Sequence, residues 1–127
     1  MINFPKASRP LEYIAFFMFQ VPTGEGMVHV FSAVDAFSEY AFMLGVEKDN
    51  HPETVLTNIE TLLEHKDFAP ALDMDKEFTL VLDSYVELAP SIQAIISPYH
   101  GKVIINKPFC EQIAKPFMDG IREAYGL

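Results

Sequence analysis

The pentapeptide Pro22-Thr23-Gly24-Glu25-Gly26 constrains this chain more than any other stretch. Proline presets φ and glycine tolerates positive φ, so the segment reads as a turn. Runs rich in aromatic and β-branched residues flank it at 12–21 and 28–34, and both read as strands. A third run follows at 40–46. Three strands in succession predict an antiparallel meander over residues 12–46. Residues 1–11 carry two prolines and little pattern, so they read as a lead-in arm.

The rest of the chain alternates. Asn50-His51-Pro52-Glu53 reads as a helix start, with proline at the first helical position, where its missing N–H is harmless. Val55, Ile59, Leu62 and Leu63 then share one face of a helix ending near His65. Residues 67–76 form a polar loop, and Phe78 to Leu82 an apolar strand suited to a buried central place. A short helix is expected around Val86 to Leu88 and a fifth strand at 94–96. The last helix spans about 108–125, where Phe109, Ile113, Phe117 and Ile121 recur every fourth residue. Pro116 inside it predicts a kink or interruption. A meander followed by helix–strand alternation implies one α/β domain over 1–127, a mixed sheet with helices on its faces.

Composition narrows the function. A chain of 127 residues, half of them apolar, suits one core. One cysteine, Cys110, excludes an internal disulfide and reads as a small buried hydrophobe on a helix. His29, His51, His65 and His100 are scattered, so no metal site is expected. Net charge is −9 with nine basic residues and no run of them, which predicts weak or absent nucleic-acid binding. The N-terminus lacks a signal-peptide pattern. The longest apolar run, 14–19, falls far short of the roughly 20 residues that span a membrane. A soluble cytoplasmic protein is the expectation.

Three motifs, in order, resemble those of integrase and transposase catalytic cores from insertion elements and retroviruses. That family pairs a Thr-Tyr-Ile-Pro-Thr-Gly-Glu-Gly-like turn with a strand ending in Asp-x-Phe-Ser-Arg. Here the chain gives Phe19-Gln20-Val21-Pro22-Thr23-Gly24-Glu25-Gly26, then Asp35-Ala36-Phe37-Ser38-Glu39. The family's Asp-Asn-Gly-x-Glu-Phe is matched by Asp83-Ser84-Tyr85-Val86-Glu87-Leu88. Its Ser-Pro-Tyr-His, loop, Gly-Lys-Val-Glu is matched by Ser97-Pro98-Tyr99-His100-Gly101-Lys102-Val103-Ile104, with the loop deleted. The resemblance implies a ribonuclease H-like fold and a homodimer.

It also implies a site that has lost its chemistry. The family joins DNA with three carboxylates and two divalent metals. Its first acid falls on Phe17 and its third, at a helix start, on Ile104; only Asp83 remains. Neither Phe17 nor Ile104 offers the oxygen ligands that magnesium needs. The motif arginine has become Glu39. Glu111 lies two helical turns past Ile104, and Glu12 stands an odd number of residues before Phe17, on the opposite strand face. Neither replaces a missing acid convincingly. The resemblance thus implies a non-enzymatic binding or regulatory module with an unknown protein partner and no cofactor. The alternative is a divergent nuclease or recombinase using Asp83 with Mg²⁺ or Mn²⁺. Asp35 and Ser38 read as strand-end turn formers, and His100 as a solvent-facing loop residue. A Cys110–His100 pair is disfavoured by the helical setting of Cys110.

Overall fold

The computed structural model describes residues 6–125, with side chains to 124. Residues 1–5 of the expected arm lie outside this range. Strands β1 (Tyr13–Thr23), β2 (Gly26–Asp35) and β3 (Ala41–Glu47) form the meander, followed by helix α1 (Pro52–Glu64) and strand β4 (Phe78–Leu82). Helix α2 (Ala89–Ile96), strand β5 (Gly101–Ile105) and helix α3 (Lys107–Tyr125) complete the chain. The five strands lie side by side in the order β3-β2-β1-β4-β5. β1 runs antiparallel to β2 and parallel to β4, and β5 runs parallel to β4. The sheet is mixed, and β4 is interior as its apolar sequence predicts.

Alternation along the strands divides the core between two faces. Phe16, Phe31, Phe42, Leu80 and Leu82 pack with Val55, Ile59, Ile92 and Ile96, so α1 and α2 cover one face. On the other, Phe109 and Cys110 of α3 meet Ala15 and Val81, and Ala114 meets Phe17 and Val34. The turn at Gly24 and Glu25 joins Thr23 to its partner Gly26, which takes φ +114°, open to glycine at no steric cost.

Two expectations are corrected. Residues 94–96 are not a strand but the end of α2, and the fifth strand is Gly101–Ile105. A short apolar run serves either state. Here Pro90 opens a helix and Ile92 and Ile96, one turn apart, bury the same face. The last helix is not interrupted at Pro116: it is one element from Lys107 to Tyr125, with Pro116 exposed on its outer side.

Both outer strands have a main-chain N–H held by an amide side chain. At the irregularity in β3, Gly45 N–H donates to Asn58 Oδ1 of α1 at 2.6 Å. On β5, Val103 N–H donates to Gln93 Oε1 of α2 and Gln93 Nε2 donates to the Gly101 carbonyl, both at 2.9 Å. These contacts blunt edges that would otherwise pair with other chains.

Candidate functional site

The carboxylate of Asp83 stands just past the end of β4. Phe16 on β1 pairs with Leu82, so the next residues along the two parallel strands, Phe17 and Asp83, are neighbours. Asp83 shares strand parity with Val81, whose side chain packs toward α3. Ser84 Oγ donates to Asp83 Oδ1 at 3.1 Å. Burial pushes the Asp83 carboxyl above its ordinary value; Ser84, its own backbone and Lys107 oppose the rise, and the charge of Glu111 adds to it. Lys107 and Glu111 sit one turn apart at the start of α3, 3.9 Å from each other.

Phe17 is almost wholly buried, 2% exposed. Its ring meets Phe117 of α3 edge-on at 5.9 Å and stacks against Phe19 at 6.2 Å. Tyr85, in left-handed backbone at φ 69°, packs its ring 6.4 Å from Phe16 on the far side of β1. Burial, followed by the Asp83 charge, pushes its hydroxyl up to about 12.

The structure separates the residues of the third motif from this place. Ile104 is not at a helix start. It lies on β5 opposite Val81 and packs beside Ala15, Phe109 and Cys110. β4 therefore stands between Ile104 and Phe17. His100, Gly101 and Lys102 lie where β5 begins, at the opposite end of β4 from Asp83; the His100 carbonyl accepts Phe78 N–H. Five strand residues separate the two ends, on the order of 16 Å. A side chain on Gly101 would meet the Phe78 ring at 2.6 Å and Ile96 at 2.8 Å, so this glycine serves packing. His100 and Lys102 are exposed, and Glu87 is exposed on the short 3₁₀ turn Val86–Leu88.

Asp35 and Ser38 belong to the β2–β3 turn. The buried Asp35 carboxylate accepts Leu11 N–H at 3.1 Å, Phe37 N–H at 3.3 Å, Ser38 N–H at 3.4 Å and Ser38 Oγ–H at 2.7 Å. Ser38 Oγ in turn accepts Tyr40 N–H. All of these tie backbone together, as an Asx turn does. Cys110 donates its thiol to the Val81 carbonyl at 3.1 Å. Burial, then Asp83 and Glu111, push that thiol up, and the structure places His100 where β5 begins, so it does not bring Cys110 and His100 together as a pair.

Sequence reasoning missed the approach of Lys107 and Glu111 to Asp83. It counted Glu111 from Ile104 as though both were helical. The usable signal was Asn106-Lys107-Pro108: Asn106 Oδ1 accepts Phe109 N–H at 3.1 Å, and Pro108 suits a first turn. A helix starting there places Glu111 in its second turn, beside the end of β4.

No protein-family model matches the sequence, and no curated protein matches it. Solved structures do match. A chain of the simian T-cell lymphotropic virus intasome, in complex with PP2A regulatory subunit B56 gamma, is similar with TM-score 0.72 and 10% identity over 96% of this chain. The HTLV-2 integrase catalytic core domain in complex with magnesium is similar in its dimeric and trimeric forms. Both give TM-score 0.64 over 91% of this chain and 72% of theirs, at 11% and 12% identity. The fold is that of a retroviral integrase catalytic core. This chain spans 42% of the intasome chain it matches, and the likeness is one of fold.

Within this integrase-core fold the residues around Asp83 do not fit a pair of divalent ions. Such ions need several oxygen ligands converging from separate elements. The neighbouring place on β1 holds the Phe17 ring, packed against Phe117. Among the described residues no group of three or more His, Cys, Asp or Glu side chains is arranged to hold a metal. No helix among them is long and apolar enough to cross a membrane.

Proposed function

We propose that this chain is a non-enzymatic integrase-core module that binds or regulates a protein partner. The observation that carries the reading is Phe17, locked under Phe117 in the position beside Asp83. A ring in that place contributes buried apolar surface where metal-dependent phosphoryl transfer needs a carboxylate. The surface charge agrees. At −9, with exposed Glu39 in place of the motif arginine, the chain repels phosphate, so weak or absent DNA binding is part of the reading. Association as a homodimer is also proposed; the HTLV-2 cores were solved as dimers and trimers.

A second reading rests on one observation. Glu111 lies near enough to oppose ionisation of Asp83, and two acids at the end of β4 are the start of a metal site. In that reading the chain is a divergent metal-dependent nuclease or recombinase. The two part in a cleavage assay on supercoiled and branched DNA with Mg²⁺ or Mn²⁺. The non-enzymatic reading expects no product above background. Cleavage that disappears in both Asp83→Asn and Glu111→Gln would establish the second reading instead.

A further inference from the structure

The strongest unexplained feature is a stretch of β1 with a strand on one side only. β1 pairs with β2 from Ile14 to Thr23, but with β4 only from Tyr13 to Phe16. In a strand, successive residues turn their N–H and C=O to alternate sides. Two bonds fix the parity. The Tyr13 carbonyl accepts Ala36 N–H on the β2 side, and the Glu12 carbonyl accepts Thr79 N–H on the β4 side. Even-numbered residues of β1 therefore face β4. Past Phe16, where β4 has ended, Met18 and Gln20 present N–H and C=O to an open edge. Pro22 adds a carbonyl but no N–H, which ends the usable stretch.

This edge is unlike the other two. β5 is blunted by Gln93 and the β3 irregularity is closed by Asn58, whereas no loop or side chain among the described residues bonds to the backbone of Met18 or Gln20. Nor does a charged residue on β1 guard it. It is instead roofed by the C-terminal half of α3. Met118, Ile121 and Arg122 overhang Met18 to Val21 and enclose a groove of about 400 Å³. Among the described residues Arg122 pairs with Asp119, an exposed contact of 3.9 Å, so its guanidinium can engage a ligand at little cost.

We propose that this groove takes an extended segment of a partner protein, which adds a short strand to the open edge of β1. Each feature selects part of the occupant. Alternating N–H and C=O groups match a polypeptide backbone in β conformation, the pairing used in strand addition. Met118 and Ile121 select apolar side chains at alternate positions, on the face turned toward α3. Arg122 selects a carboxylate at one end. A nucleic acid fits less well: it has no backbone donor–acceptor alternation, and one arginine on a chain of net charge −9 cannot hold several phosphates. The inference goes beyond the reading of Asp83 and does not depend on whether Asp83 holds a metal.

The test selects binders from a displayed library of random peptides on the full chain. It then maps the best synthetic peptide by amide hydrogen exchange and measures its affinity by titration. Selected peptides should alternate apolar residues, carry an acid, and slow exchange at Met18 and Gln20. Methylating alternate backbone nitrogens of the peptide should weaken binding at least tenfold, a control that leaves the protein untouched. Gln20→Pro, which removes one edge donor while sparing the β2 side, should do the same, and Arg122→Glu should turn selection from acidic to basic peptides. The proposal is overturned if selected peptides protect another surface or ignore N-methylation. It is equally overturned if a single-stranded oligonucleotide or a second copy of the chain protects Met18 and Gln20 in the peptide's place. DNA cleavage by the wild-type chain would refute the non-enzymatic reading and leave this one standing.

Discussion

Phe17 and Asp83 each directly follow the last paired residues, Phe16 and Leu82, of the parallel β1–β4 pair, one an aromatic ring packed against Phe117 and the other a carboxyl group whose pKa burial raises. The HTLV-2 core of the same fold was solved with magnesium; here an aromatic ring stands beside the acid at the end of β4.

Phe17 should be a large contributor to stability. Its ring is buried among Val34, Ala114 and Phe117. Phe17→Ala should cost about 3–5 kcal/mol, as buried Phe truncations do. Urea denaturation with the midpoint lowered and the slope unchanged is the expected result.

Asp83 should destabilise the fold as pH rises. Its folded pKa lies above the ordinary 3.8, so the native state holds the proton more tightly than the unfolded chain. Below 3.8 both states are protonated and burial costs little. As pH climbs from there through the raised folded value, stability is lost, and above it the full penalty persists. Asp83→Asn should therefore melt close to wild type in acid and progressively higher toward neutral pH. Thermal melts across that range check it; a constant difference at every pH would show that burial is not the cause.

Asp35 should matter for the turn and not for any ligand. Asp35→Ala leaves Leu11 and Phe37 N–H groups unpaired and removes the anchor of Ser38. A loss on the order of 3 kcal/mol is expected, by analogy with lost caps and unsatisfied buried donors. Asp35→Asn keeps an acceptor oxygen and should cost less. Chemical denaturation of the pair gives the ordering.

Gln93 should protect the β5 edge. Gln93→Leu strands Val103 N–H and the Gly101 carbonyl, at a cost of about 1–3 kcal/mol, and opens that edge to other chains. Light scattering should show more self-association than wild type at equal concentration, in step with the lowered melting temperature.

The meander, α1, β4 and the amphipathic α3 were legible in the sequence, because turn chemistry and periodicity agree there. The adjacency of Phe17 and Asp83 was legible too, since the first two motifs sit on strands that pair directly. The third motif misled. Gly101-Lys102-Val103-Ile104 resembles a helix start, yet its β-branched residues extend beside β4, with Gly101 fitted against Phe78 and Ile96. That contact joins residues far apart in the chain, and no local pattern announces it. The nearness of Glu111 to Asp83 likewise depends on β5, which ends at Ile105 and sets where α3 begins.

Calorimetric titration with Mn²⁺ tests the central claim most directly, on the wild-type chain and on Phe17→Asp. The wild type should show no stoichiometric binding, because the Phe17 ring occupies the place a ligand would need. Phe17→Asp puts a further carboxylate beside Asp83; it should be less stable without metal and gain both Mn²⁺ binding and melting temperature with it. Stoichiometric Mn²⁺ binding by the wild type, lost in Asp83→Ala, would contradict the account and return this chain to the metal-dependent enzymes.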